Sequence, residues 1–410
     1  MITATAKIYR NAYSGLSRET WLLSFIMLIN RSGTMVIPFM TVYLTQRLHF
    51  SVEQAGFVMA CFGVGSVLGA FVGGRLSDRI GFYSVQFWSL LLQGFLFIVL
   101  GQMETLLHIS VCIFILSSVG EAFRPANSAA IVHYSSVPNR TRSYSLARLA
   151  VNLGWSVGPA IGGILASYSY DLLFWADGCT CIVAVLIMRF SLPPVRKSKE
   201  EKHAARVKVK GSSVYNDGIY LAFIGLVTVF AIGFFQLSTM VPLYMAKELH
   251  MNEAHIGITL GTNGLIIALI EMVLIYQVEG KKHGMQFITF GVIVGGLSYV
   301  SFNLLPGVIA PAVVFILLFT VGEMFSLPFM TSFSIGRAGE HNRGQYAALY
   351  TIAYSICTIV APSLGGYMVE HFGFVTWWYI TAGICAITGG GFYLLYKKLS
   401  DVQSPVSNHP

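Results

Sequence analysis

The chain has 410 residues, of which 55% are hydrophobic and 11% charged, with a mean hydropathy of +0.67. That apolar excess is more than a soluble core can bury, so a water-soluble globular fold is excluded and the chain belongs in lipid. The net charge of +8 does not mark a nucleic-acid binder, because the basic residues sort by loop instead of gathering on one face.

Apolar runs long enough to cross a hydrocarbon core roughly 30 Å thick recur along the sequence. They predict twelve helices, at 20–45, 54–76, 83–102, 107–132, 143–168, 172–191, 217–246, 254–278, 285–305, 309–332, 344–368 and 373–397. The alternating segments of a membrane β-barrel are absent, so the predicted class is an all-α membrane protein. The first run begins near Trp21 and is too long for the core of a signal peptide, so the start of the chain is expected to be retained. All six cysteines fall within predicted helices and read as packing residues.

Lys7, Arg10, Arg18, Lys397 and Lys398 lie toward the ends, and alternate loops carry Arg75 with Arg79, Arg140 with Arg142, Lys281 with Lys282, and Arg337 with Arg343. The opposite loops offer only Arg47 and Lys247, which places both termini in the cytoplasm. The sequons at Asn30 and Asn139 then fall in a helix and a cytoplasmic loop, where glycosylation is not expected.

Between the sixth and seventh helices lies PPVRKSKEEKHAARVKVKG, which reads as a basic cytoplasmic linker with some interfacial amphipathic character. The expected division is a six-helix bundle at 1–191, a linker at 192–216 and a second bundle at 217–410. The halves superpose as sequence: Tyr43-Leu44 on Tyr244-Met245 and Gly56 on Gly257 with a shift of 201, and VGEAF (119–123) on VGEMF (321–325) with a shift of 202. Pro159-x-x-Gly162-Gly163 matches Pro362-x-x-Gly365-Gly366 with a shift of 203. A nearly constant shift over separate landmarks indicates one duplicated six-helix unit. Parallel six-helix halves are a recurrent transporter design with a central site near mid-bilayer.

After the second helix the chain reads Gly74-Arg75-Leu76-Ser77-Asp78-Arg79-Ile80-Gly81, which resembles the loop signature of the major facilitator superfamily, at the place where that family carries it. The resemblance implies a conformational latch built on Gly74, Asp78, Arg79 and Gly81. Phe82-Tyr83 replace the basic residues that usually follow, and the second copy at Glu279-Gly280-Lys281-Lys282 is degenerate. In the fifth helix, NLGWSVGPAIGG is similar to the antiporter signature of the superfamily's drug and proton antiporters, through Gly154, Gly158, Pro159, Gly162 and Gly163, with Ser145 in place of its first glycine. Stacked glycines let backbones touch and the proline removes a hydrogen bond, giving a bendable seam. The same stretch formally contains a serine-hydrolase elbow, but the helical context excludes that reading.

Charges at membrane depth are costly and normally face an internal cavity with partners. Arg31, Glu121, Arg124 and Glu323 are predicted near mid-depth, with Arg148 and Glu271 toward the cytoplasm and Asp177 toward the outside. Glu121 and Arg124 share a helix face, and Arg31 lies in the same half. An arginine moving relative to a carboxylate would switch its proton affinity and couple proton to cargo. Glu323 has no arginine in its own helix and is the first candidate proton carrier; Glu121 is the second, partnered by Arg124 or Arg31. Against these readings stands a plain structural salt-bridge cluster. None of the ten histidines is predicted at mid-depth, which disfavours a histidine relay.

Asn30, Tyr43, Phe123, Asn152, Trp155, Gln236, Asn263, Phe325 and Tyr354 are candidate substrate contacts, with Tyr244 a further central residue. An apolar lining suits amphipathic or cationic cargo, whereas the arginines suit an anionic group. No nucleotide loop, metal-binding helix or catalytic domain is present, so no cofactor, metal or ATP drive is expected. The sequence therefore reads as a proton-coupled exporter of small amphipathic molecules, monomeric, in the cell membrane. A proton-linked uptake symporter for a peptide, sugar or organic anion and a non-transporting membrane sensor are the alternatives.

Overall fold

A computed structural model describes residues 15–136, 140–193, 214–278, 281–337 and 343–403. These described residues are helical apart from short turns. The helices are α1 (Arg18–Ser32), α2 (Val36–Val42), α3 (Val52–Ile80), α4 (Phe82–Leu100), α5 (Leu106–Glu121), α6 (Phe123–Tyr134), α7 (Arg140–Tyr168) and α8 (Asp171–Ser191). They continue with α9 (Gly218–Phe234), α10 (Met240–Lys247), α11 (Glu253–Val278), α12 (Gly284–Leu304), α13 (Ile309–Arg337) and α14 (Arg343–Gln403).

Among the described residues, eleven stretches are long and apolar enough to cross a membrane, and the last, Ala348–Ser400, has 53 residues. Gly373, at φ 78° and ψ 166°, divides it into two. That left-handed backbone is one few side chains tolerate, so a glycine marks the turn. Twelve crossing segments result, in the order that hydropathy predicted. The polar stretch expected to be a linker falls largely at 194–213, outside the described residues.

By backbone contacts the chain groups into two compact units. The first comprises Met1–Phe39, Cys61–Arg206 and Asn252–Ala268, and the second Met40–Ala60, Val207–Met251 and Leu269–Pro410. The core of the first includes Leu23, Ile26, Phe82, Leu90, Phe123, Val185 and Met188. The second is richer in rings: Tyr220, Phe223, Phe230 and Phe392 lie in its core, and Tyr244, Phe302, Phe374 and Trp378 pack together nearby.

Local chemistry places the helix ends. Ser17 Oγ accepts the Thr20 N–H at the start of α1, and Asp217 caps α9 through the Tyr220 N–H at 3.0 Å. The ends of the first and seventh predicted helices are built alike. His49 (φ 57°) and His250 (φ 49°) are the two non-glycine residues with positive φ among the described residues. Around each, the Phe50 N–H donates to the Leu44 carbonyl and the Met251 N–H to the Met245 carbonyl, both at 2.9 Å. Identical terminations 201 residues apart carry the duplication down to backbone hydrogen bonds.

Each unit contains a seam built from glycines of the repeated Pro-x-x-Gly-Gly motif. In the first, a Cβ on Gly257 would meet the Pro159 carbonyl oxygen and approach Gly163 Cα to 2.8 Å, so α7 and α11 touch backbone to backbone. In the second, a Cβ on Gly56 would come 2.5 Å from the Pro362 carbonyl oxygen and 3.2 Å from Gly366 Cα. Because backbone atoms cannot rotate away, Gly257→Ala is expected to destabilise the protein by about 1–3 kcal/mol. A thermal melt checks this, with Gly225→Ala, whose Cβ meets nothing within 4 Å, expected at or above wild type.

Candidate functional site

In the first unit the charges meet where α1, the end of α5 and the start of α6 come together. Arg124 Nη2 lies 3.0 Å from Glu121 Oε2, with the Glu121 side chain 16% exposed and that of Arg124 62%. Arg31 stands within electrostatic reach of both and of Cys181. Its Nε is buried without a hydrogen-bond partner among the described residues. Gly154 brings α7 against Arg31: a Cβ there would lie 2.9 Å from the Arg31 carbonyl carbon. Next to Arg31, Asn30 Nδ2 donates to Cys181 Sγ at 3.7 Å.

The first predicted helix is interrupted after Ser32, which exposes the N–H groups that open α2. Asp177 on α8 accepts them: from Met35 at 3.0 and 3.2 Å and from Val36 at 2.9 Å. A buried carboxylate is satisfied here by the positive end of a helix. The seventh predicted helix is interrupted similarly at Phe235–Ser238. There Gln236 donates to the Ile232 and Ala361 carbonyls and accepts from Trp377 Nε1 at 3.3 Å. Gly158 and Gly162 on α7 approach Thr34 and Met35 at the first break. Thus Gly154, Gly158, Pro159, Gly162 and Gly163 all lie where α7 closes on neighbouring backbone.

In the second unit Glu323 is half-buried on α13 and interacts electrostatically with Tyr354. The Tyr350 hydroxyl donates to the Tyr354 hydroxyl at 3.4 Å, and Phe235 sets its ring edge-on to Tyr354 at 6.2 Å. Glu323 and Tyr354, expected as proton carrier and cavity wall, are therefore brought together.

Other candidates disperse. Phe123 is a core residue of the first unit at 2% exposure. Phe325 packs on Phe287 and Phe290. Tyr43 is buried in the turn Tyr43–Arg47 that ends the first predicted helix. Tyr244 donates to the Phe302 carbonyl at 3.1 Å. Asn152 is half-buried, Asn263 buried, and Trp155 36% exposed. In the loop signature, a Cβ on Gly74 would meet only Pro125 Cβ at 4.0 Å; the close approach of α3 to the following helices occurs at Gly69, 2.8 Å from Ser118 Cα, and at Gly73, 2.5 Å from Ala122 Cα. Gly81 opens α4 with φ 91°, and Arg79 is exposed. The Asp78 side chain lies outside the described residues.

Sequence reasoning missed Asp177 as a cap. It also missed the buried Gln86–Asn127 hydrogen bond of 3.1 Å, although Asn127 stands three residues after Arg124, on the same helix face. An apolar groove of about 300 Å³, lined among others by Leu68, Val72, Leu76, Trp88 and Leu92, includes none of the charged candidates. Among the described residues no cluster of three or more His, Cys, Asp or Glu is gathered to hold a metal.

The profile described as Major Facilitator Superfamily matches residues 20–362. The chain belongs to the Major Facilitator Superfamily. It is 26% identical to a Na(+), Li(+), K(+)/H(+) antiporter of Planococcus maritimus, with 92% of this chain and 95% of that protein covered. It is 24% identical to Multidrug resistance protein 2 of Bacillus subtilis (strain 168), covering 92% and 94%. A crystal structure of a POT family transporter in complex with 5-aminolevulinic acid superposes with a TM-score of 0.80 at 14% identity, covering 94% of this chain and 98% of that one. This likeness establishes the fold: two pseudo-symmetric six-helix bundles. The superfamily and these relatives are membrane transporters, so the chain is a multi-pass membrane transport protein and not an enzyme.

This superfamily member also carries a charged clamp at the start of α9. Arg337 donates to Asp217 from Nε at 2.6 Å and from Nη2 at 2.8 Å, and the Tyr346 hydroxyl adds a bond of 2.9 Å. Tyr220 joins α9 to α13 and α14, its hydroxyl meeting Ser334 Oγ and the Tyr346 carbonyl. Burial pushes the Asp217 carboxyl up, but the Arg337 hydrogen bonds, the Tyr220 N–H and the Tyr346 hydroxyl outweigh it and hold it below its usual value. A depressed folded-state value means stability fully present above the unfolded value of about 4 and lost as pH falls further. Wild type is therefore expected to lose thermal stability below about pH 4 more steeply than Asp217→Asn. Asp217→Asn should also melt earlier at neutral pH. Parallel melting curves for the two proteins in acid would contradict the assignment.

Proposed function

We propose that the protein is a proton-coupled secondary transporter that exports small amphipathic molecules by alternating access, in the manner of multidrug antiport. The observation that supports this reading best is the pair of repeated glutamates, each half-buried in a membrane-spanning segment beside a titratable or cationic partner: Glu121 with Arg124 and Arg31, and Glu323 with Tyr354. An acid in a partly dehydrated site binds a proton with an affinity that its neighbours set, so movement of those neighbours links proton release to cargo. Relatives at 24–26% identity that are named for antiport and multidrug resistance agree with this reading. The candidate cargo contacts are Asn30, Asn152, Trp155 and Asn263 with Phe123 in the first unit, and Glu323, Tyr354 and Gln236 with Tyr43 and Phe325 in the second. The glycine seams of α7 and α3 are where the halves 1–191 and 217–410 bend, and the Gly74–Gly81 segment latches one state. The protein acts as a monomer in the cell membrane with both termini cytoplasmic.

The test uses inside-out vesicles acidified by respiration, with a pH-sensitive dye inside. Adding amphipathic aromatic cargo, drawn from a panel of anionic, neutral and cationic dyes, is expected to discharge the gradient only in vesicles that contain the protein. Discharge by NaCl, LiCl or KCl alone would instead favour cation exchange of the kind named for the Planococcus relative. Cargo accumulation driven by an inward proton gradient in right-side-out vesicles would favour uptake by symport.

A further inference from the structure

We infer that the first unit holds an anion subsite, built from Arg31 and Arg124 beside Glu121, that receives a carboxylate, sulfonate or phosphate group of the cargo. The inference rests on the transport reading above and names the chemical class of what is carried.

The duplication provides the comparison. Glu121 and Glu323 are the same position of the repeated unit, 202 residues apart, yet neither arginine is repeated. Arg31 corresponds to Ile232, and Arg124 to Ser326, whose hydroxyl bonds to the Gly322 carbonyl of its own helix. The second copy of the acid thus stands in a membrane helix without either guanidinium. Neutralising a glutamate is therefore not a sufficient reason for two cations in the first unit.

The charge balance is unequal as well. Among the described residues one carboxylate serves both guanidiniums: Arg124 pairs with Glu121 at 3.0 Å while Arg31 feels Glu121 as attraction and Arg124 as repulsion. A net positive cluster remains within two membrane-spanning segments, where uncompensated charge is costly. Both cations have donors to spare. Among the described residues Arg31 Nε is buried with no hydrogen-bond partner, and Arg124 is 62% exposed, which leaves its guanidinium accessible to a further group. A guanidinium fork matches planar oxyanions, which makes carboxylate, sulfonate and phosphate the fitting class. Gly154 fixes the geometry: α7 lies against the backbone of Arg31, so that side chain has little room to leave the cluster.

The experiment compares three probes of one size on the purified full-length protein in neutral detergent: 1-naphthoate, 1-naphthylmethanol and 1-naphthylmethylammonium, by isothermal titration calorimetry. The naphthoate is expected to bind at least about tenfold more tightly than the alcohol. Arg124→Gln should abolish that preference while leaving alcohol affinity unchanged, and Arg124→Lys should keep part of it. Equal affinities in wild type, or tightest binding of the ammonium probe, would overturn the proposal without any mutant being needed. Repeating the titration in phosphatidylcholine nanodiscs with and without phosphatidylglycerol separates the two sources of anion. Competition by phosphatidylglycerol would assign the cations to a lipid headgroup and overturn the cargo reading. No gradient is involved, so failed proton coupling in the vesicle assay and a failed anion preference are distinct results.

Discussion

Glu323→Gln is expected to abolish cargo-dependent proton flux while the protein still binds cargo. The side chain is half-buried on α13 with Tyr354 in electrostatic contact, and no arginine occupies its helix within the membrane segment. Glutamine keeps the volume and the hydrogen-bonding oxygen but has no proton to exchange, so a loss in coupled flux of at least about tenfold with little change in binding is the predicted signature. Both readouts are needed, since a merely structural glutamate would lose binding and flux together. Flux equal to wild type would remove Glu323 from the mechanism. Glu121→Gln differs, because it leaves Arg31 and Arg124 with no carboxylate between them, and a folding defect accompanies any loss of flux.

The second large effect concerns Asp177. Its carboxylate is fully buried and accepts the Met35 and Val36 N–H groups that open α2, at 2.9 to 3.2 Å. Asp177→Ala leaves two buried donors unsatisfied and removes a helix cap. Each lost bond to a charged acceptor costs about 1.5–3 kcal/mol, so destabilisation of roughly 3 kcal/mol or more follows. Asp177→Asn retains one acceptor oxygen and should lie between alanine and wild type. Thermal midpoints of the three proteins, read together with monodispersity, decide the matter. An alanine variant that melts with wild type would show that water replaces the carboxylate at no cost.

Much of the architecture was legible in the residues because lipid permits so few solutions. A segment that crosses hydrocarbon must satisfy its own backbone hydrogen bonds, so apolar length alone predicted the helices and their order. The constant shift between Tyr43 and Tyr244, or between Glu121 and Glu323, carried the duplication. The identical terminations at His49 and His250 then confirmed it at atomic level. Less legible was where the helices break. Ser32-Gly33-Thr34 is a weak turn signal inside a long apolar stretch, and it becomes an interruption where Asp177, 142 residues away from Met35, supplies acceptors for the freed N–H groups. The polar character of Asp177 was visible in the sequence, but its partners were not.

Glycine shows the same division. The loop signature drew notice to Gly74, while the tertiary contacts rest on Gly69 and Gly73, because which face of α3 meets α5 and the Ala122 turn that follows it is decided by packing and not by motif membership. Likewise Phe123 and Phe325 occupy matching places in the repeated phrase. One lies in the core of its unit and the other packs on the rings of α12. By itself, then, the sequence determined that the chain crosses the membrane repeatedly, in two copies of one design, with acids kept at matching positions of the repeat, since hydropathy and repetition are properties of the linear chain. Only the tertiary structure decided which neighbours each acid has, where helices are interrupted and which glycines touch, because those depend on side chains far apart in sequence arriving at the same few ångströms.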